Sequence, residues 1–214
     1  MNFKTFSTAI AVTSFFAFNS ANAADNFGGT NVTIFGGMGY TAHDVQVDPG
    51  RQFTSDRTGI DGGAKISYGE LDEDFYIGGD LGVTFSAADP HTSRHNTFDF
   101  KATRANTVEL NVRPGLVLDE TVMVYGLAGV NVQQSQYTVK APNVAEKSDQ
   151  YETTIGFNLG LGTEIVINNG LNLRLENVFR YNDGYDINHS AAGIKYEIEN
   201  TTSNTTSAGL VLKF

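Results

Sequence analysis

Few residues in this sequence are equipped for chemistry, and their spacing says more than their number. There are four histidines, His43, His91, His95 and His189, and no cysteine. The lack of thiols excludes thiolate nucleophiles, thiolate metal sites and a disulfide framework. His91 and His95 stand four apart beside Asp89 and Asp99, a spacing that aligns metal or haem ligands only on a helix. The segment around them, DPHTSRHNTFDF, has no helical periodicity, so it reads as a solvated loop. His43 and His189 likewise fall in expected loops. His189 is followed directly by Ser190, with Glu197 and Glu199 downstream. A serine nucleophile needs a histidine within hydrogen-bond reach and a carboxylate to orient it. Adjacent side chains on a strand point to opposite faces, so this pair fails that test. No phosphate-cradling loop, metal site or cofactor motif emerges. Gly36, Gly37 and Gly39 alternate within a strand pattern, where glycine relieves crowding, and Asn200 to Thr206 reads as a flexible polar tail of the last loop.

The charged residues are more informative, because they recur at even intervals and share a face of each strand. Asp61, Lys65, Asp80, Glu109, Arg113, Glu164, Arg174, Glu176, Arg180 and Lys213 all alternate with apolar neighbours. The elements that carry them are segments of about ten residues with period-two alternation, the length a membrane-spanning strand requires. Asn31 to Ala42 sets Val32, Ile34, Met38 and Tyr40 on one face. Gly59 to Gly69 sets Ile60, Ala64, Ile66 and Tyr68 against Asp61, Lys65 and Ser67. Phe75 to Ala87 sets Phe75, Ile77, Leu81, Val83 and Phe85 against Tyr76, Asp80, Thr84 and Ser86. Thr103 to Leu118 opposes Val108, Leu110 and Val112 to Glu109, Asn111 and Arg113, and Thr121 to Gln133 carries Val122, Val124, Ala128, Val130 and Val132. Asn168-Asn169-Gly170 is a tight-turn signal. Before it, Phe157, Leu159, Leu161 and Ile165 oppose Asn158 and Glu164; after it, Leu173, Leu175, Phe179 and Tyr181 oppose Arg174, Glu176 and Arg180. Thr205 to Phe214 ends with Leu210, Leu212 and Phe214 on one face.

Eight such strands, joined by alternating short turns and long polar connections, predict an all-β, eight-stranded antiparallel transmembrane barrel with short periplasmic turns and long extracellular loops. Tyr40, Phe85, Phe157, Phe179 and Tyr181 fall at the long-loop ends of the apolar faces, and Tyr68, Phe75 and Phe214 at the short-turn ends. These are the two aromatic belts a bilayer demands. The charges then point inward, where an eight-stranded barrel leaves room for side chains but not for a wide pore. Residues 1–23 read as a signal peptide, with Lys4, an apolar run to Phe18 and the small residues Ala21 and Ala23, leaving 24–214 as the barrel domain. The acidic balance, a net charge of −10, disfavours nucleic acid as a partner, since phosphate contacts need clustered Lys and Arg.

The segment GFNLGLGTEIVINNGLNLRLENVFRYND, with the terminal SAGLVLKF, resembles the OmpA-like and Opa-like porin family of eight-stranded outer-membrane proteins and surface antigens. The resemblance implies that Glu164, Arg174 and Glu176 join an interior ionic network, and that Leu210, Leu212 and Phe214 form the terminal signal read by the outer-membrane assembly machinery. It also implies a place in the outer membrane among its lipids, a non-enzymatic contribution to envelope integrity, and loops open to host or other surface ligands. The chain stops at the barrel, so a peptidoglycan-binding domain is not implied. Asn188 to Ile194 faintly resembles the His-x-Ser-Asn-Ala-Gly segment of outer-membrane lipid A deacylases, but here the histidine and serine are adjacent. An enzyme of that kind and a narrow passive channel are the two alternative readings.

Overall fold

The computed structural model describes residues 26–47, 51–88, 93–95, 98–140, 148–189 and 194–214. The signal peptide expected over residues 1–23 therefore lies outside the described residues, as do His91 and Ser190. Eight long strands follow one another: β1 Gly29–Val47, β2 Arg51–Asp72, β3 Phe75–Ala88, β4 Phe98–Asp119, β5 Val122–Lys140, β6 Ser148–Asn168, β7 Leu171–His189 and β8 Ile194–Lys213. Each pairs antiparallel with its neighbours, and β8 pairs with β1, so the sheet closes on itself. A short segment, Ser93–His95, folds back onto Phe98 to Phe100 at the start of β4.

Closure satisfies every ladder without an edge, as a wall facing hydrocarbon must. The burial pattern is inverted relative to a water-soluble protein. Ile34, Ile60, Leu81, Leu110, Val130, Leu161 and Leu210 are all at least half exposed on the outer wall, while the buried positions are mostly polar or charged. The aromatic belts are where alternation puts them. Tyr68, Phe75 and Phe214 ring the turn end, and Tyr40, Phe85, Phe157 and Phe179 stand exposed toward the loop end. There Phe157 stacks on Tyr181 with centroids 5.3 Å apart. The tyrosine hydroxyls find acceptors at the belts, Tyr68 on Glu70 at 2.9 Å and Tyr40 on Asp56 at 3.3 Å.

The three short turns have local causes. Gly170 takes φ +92° after Asn168-Asn169, a conformation glycine adopts without strain, and Glu73 takes φ +53° in the first turn. Asp119 accepts bonds from the Thr121 hydroxyl and amide at 2.7 Å and from the Val122 amide at 2.9 Å. Those bonds, led by the Thr121 hydroxyl, hold the Asp119 carboxyl below its ordinary range.

The strands differ from expectation in length. They run from 14 to 22 residues, up to roughly twice what crossing the apolar band takes, and nearly all the excess is on the loop side. β1 reaches Val47 and β2 starts at Arg51, so most of the first expected loop is hairpin. β8 begins at Ile194, which places Asn200 to Thr206 in a regular strand and corrects their reading as a flexible tail. The physical reason is that the apolar alternation exists only where one face meets lipid. Above that band both faces are polar, and the ladder continues without the signal.

Candidate functional site

The candidate site is the barrel interior. All nine charged residues expected inside within the membrane band are buried: Asp61, Lys65, Asp80, Glu109, Arg113, Glu164, Arg174, Glu176 and Arg180. Lys213, at the turn end of β8, is only half-buried. Lys65 reaches from β2 to three carboxylates, with Nζ at 2.7 Å from Glu176, 3.1 Å from Glu109 and 3.7 Å from Asp80. Arg180 grips Glu109 Oε2 through Nη2 at 2.8 Å and Nε at 3.1 Å. Its Nη1 donates to Thr205 Oγ1, which in turn donates to Asp61 Oδ2 at 2.8 Å, so Asp61 reaches the network through a hydroxyl. Arg174 binds Glu164 Oε2 at 2.8 and 3.1 Å. Arg113 lies 3.2 Å from Asp80 and donates to Tyr76 Oη at 2.9 Å. Four cations thus face five carboxylates in one connected system. In a low-dielectric interior such a system is tolerated only because each charge has a partner.

Aromatic rings complete the packing. The Arg113 guanidinium sits 5.2 Å from the Tyr125 ring centroid and 5.5 Å from that of Tyr76, within cation–π range. Tyr125 also donates to Glu176 Oε1 at 2.8 Å. Both rings reach over glycines: a Cβ at Gly69 or Gly78 would meet Tyr76, and one at Gly162 would meet Tyr125. The expected role of glycine in relieving crowding is seen at Gly39, where a Cβ would press on the Asp61 carboxylate, and at Gly37, where it would meet Thr206 and Ser207, whereas a Cβ at Gly36 faces outward with only the Asp61 carbonyl oxygen at 4.0 Å.

The two mouths are built differently. At the turn end Phe27, Tyr76, Met123 and Tyr125 form an apolar cluster against Leu71, Val117 and Val166. The segment leading into β1 is pinned across this mouth: Asn26 Nδ2 donates to Glu120 O, and Asn172 Nδ2 donates both to Asn26 O and to Glu164 Oε1. Toward the loop end the interior turns to amides and hydroxyls. Asn182 donates to Asn131, Asn131 to Asn158 and Asn158 to Asn111, a one-directional chain across β7, β5, β6 and β4.

His43 is a correction to the reading of all four histidines as loop residues. It lies in β1, 2 % exposed, with Nδ1 2.9 Å from the hydroxyl of Thr201 opposite. His95 pairs with Phe98 in the short added segment, and His189 closes β7 opposite Ile194. Sequence reasoning missed Thr205, Tyr125, Phe27 and, of the asparagine chain, Asn131 and Asn182, while it placed Asn111 and Asn158 on the inward faces. Thr205 has the same parity as Ser207 and Val211, and Tyr125 the same as Met123, so extending the alternation one face further would have found both. Leu210, Leu212 and Phe214 lie together on the outer face of β8, where the Phe214 amide bonds Thr30 O and closes the seam.

A family model described as outer membrane protein beta-barrel domain matches residues 8–214. No curated protein matches the chain in sequence. Among solved structures, a major outer membrane protein from Thermus thermophilus is 13 % identical, with 86 % of this chain and 99 % of that chain covered at a TM-score of 0.59. Neisserial surface protein A is 17 % identical over 84 % of this chain and 97 % of its own, at a TM-score of 0.47. The attachment invasion locus protein Ail of Yersinia pestis is 13 % identical over 85 % and 99 %, at 0.41.

Proposed function

The chain belongs to the family of outer-membrane β-barrel proteins, and from that premise we propose that it is a non-enzymatic surface protein that supports envelope integrity and meets its ligands through the loop-side rim. The observation that carries this reading is the filled interior. From Asn26 at the turn-end mouth to Asp61 near the middle, the lumen is occupied by buried charges that satisfy one another and by an aromatic plug. A barrel so filled offers its chemistry at the rim, where strands of up to 22 residues carry the walls beyond the aromatic belt.

In this reading residues 1–23 direct export, and Leu210, Leu212 and Phe214 present the apolar, aromatic-ended strand that the assembly machinery engages. The interior ionic network holds the barrel shut and rigid. Lipids of the outer membrane cover the apolar wall, and the acidic rim meets surface or host ligands.

The test is a deletion strain complemented by the wild-type gene or by a version whose loop-side segments are replaced with short turns. The expected result is leakage of a normally excluded dye in the deletion, repaired by both genes, with surface attachment repaired only by the wild type. Lipid A from the same strains should carry unchanged acyl chains. Acyl release by purified protein that disappears in Ser190→Ala would replace this reading with the enzymatic one.

A further inference from the structure

The outer wall between the two aromatic belts is mostly apolar, and Thr163 of β6, a polar exception, gives its hydroxyl to Met123 O of its own wall at 3.0 Å. One polar cluster does not close on itself in this way. On β8 the outward residues run Phe214, Leu212, Leu210 and Ala208, then turn polar at Thr206, Asn204 and Thr202. Asn204 lies opposite Tyr40 and Phe179, in the loop-end belt. Thr206 and its partner Asn177 of β7 lie one outward step inside that belt, at the depth of Met38 and Leu161. Asn177 donates to Asn204 Oδ1 at 2.9 Å and to Thr206 Oγ1 at 2.8 Å, and Asn204 returns one bond to Asn177 Oδ1 at 3.1 Å. An amide has two N–H groups and a hydroxyl one O–H. One N–H of Asn204 and the hydroxyl hydrogen of Thr206 are therefore uncommitted, and each amide oxygen can accept a second bond.

Donors and acceptors that face hydrocarbon are costly unless another polar group meets them. Acyl chains bring neither kind to this depth, so what covers the cluster must carry polar groups at the same height in the membrane. A second copy of the chain, turned about an axis along the membrane normal, does so by symmetry. The relief of the wall agrees. One step further toward the turn end lies a shallow, open depression lined by Gly36, Met38, Leu161, Leu175 and Ala208, with Gly36 and Ala208 direct partners in register. Lipid tails are as apolar as any side chain, so association within a membrane relies on close packing over small residues and on hydrogen bonds between the partners. Asp44 of β1 and Asp183 of β7 flank Asn200, both exposed, on the water side of Tyr40 and Tyr181. There salt screens the repulsion between like charges of two copies.

We infer that the outer face formed by β7, β8 and β1 is a self-association surface, on which a second copy of this chain docks in a two-fold contact centred on Asn204 and Thr206. The uncommitted N–H of Asn204 and O–H of Thr206 in each barrel meet the amide oxygens of Asn177 and Asn204 in the other, and Gly36 and Ala208 mark the closest approach. The chemistry of the cluster selects this occupant. It is neutral and holds donors and acceptors side by side, so two identical patches satisfy each other, whereas a partner offering only one kind leaves the other unpaired.

The experiment exploits a chain without cysteine. Ala208→Cys places one thiol on the inferred face, and Leu110→Cys places one on β4, on the opposite side of the ring and also facing outward. Each full chain is oxidised in the outer membrane of the cells that express it. The cross-linked product is identified by its mass, and the fold of each variant is checked by heat-modifiable gel migration. The expected result is a disulfide-linked dimer of the chain from Ala208→Cys, about tenfold more abundant than from Leu110→Cys, a difference of about 1.4 kcal/mol. Adding Asn177→Leu with Asn204→Leu to Ala208→Cys should lower the dimer yield about tenfold. Gly36→Leu, which raises a side chain into the depression where a Cβ meets only the Asp61 carbonyl oxygen at 4.0 Å, should lower it as well. All of these substitutions lie on the outer wall and leave the interior network intact. Absence of the dimer, equal cross-linking at the two walls, a link to a different protein, or an undiminished dimer from either folded leucine variant would each overturn the proposal.

Discussion

Toward the turn end, the barrel interior holds Arg113, Arg174, Glu164, Glu176 and Asp80 in direct ion pairs around two tyrosine rings and an apolar plug. Toward the loop end, the barrel faces inward with the His43 imidazole and with Thr201, Gln133, Ser135 and Asn182, hydroxyls and amides joined by single hydrogen bonds. Both regions are buried, yet their energetics differ. A buried charge that loses its partner cannot be rescued by water, whereas a neutral amide or hydroxyl loses one modest bond. The turn-side half therefore carries more of the stability and of the occlusion than the loop-side half.

The comparison is broken most directly at Arg174, which is 2 % exposed and doubly bonded to Glu164. Arg174→Leu leaves that carboxylate only the Asn172 amide and the more distant Arg113, 3.9 Å away, and should cost about 3–5 kcal/mol of unfolding free energy, read as the midpoint of urea unfolding in a defined bilayer. Removing the ring that stoppers the turn-end mouth, Phe27→Ala, should cost about 3 kcal/mol, the low end for a buried aromatic, measured the same way. On the loop side, Thr201→Val removes the hydroxyl beside His43 and should cost only about 1 kcal/mol. A loss there as large as that of Arg174→Leu would abolish the distinction between the two halves.

Much of the turn-side half was legible in the sequence. Within the lipid band each strand has one wet and one oily face, so parity alone sent Glu109, Arg113, Glu164, Arg174, Glu176 and Arg180 inward. Parity could not say which charge meets which. Lys65 meets Glu109, Glu176 and Asp80 across the lumen, contacts set by barrel closure and not by spacing. The loop-side half was far less legible. Asn200 to Asn204 has polar residues on both faces, so nothing marked it as strand, and Thr205, at the edge of the expected strand, gave no sign that it links Arg180 to Asp61. His43 was misplaced for the same reason.

The smallest expected effect is at the second turn. The Asp119 carboxyl, held low by its bonds to Thr121 and Val122, contributes stability that is present above its unfolded pKa of about 3.9. That contribution is lost as pH falls through the lower folded value. Unfolding midpoints of wild type and Asp119→Asn should therefore differ slightly at neutral pH and converge in strong acid. A difference that grows on acidification would contradict the assignment.

A lumen that is filled and shut leaves function to the rim. Planar-bilayer recording of the purified barrel tests it directly. A filled lumen leaves the membrane electrically silent at moderate voltage, and a large, stable, reproducible conductance from the folded wild-type protein would show that the lumen is open.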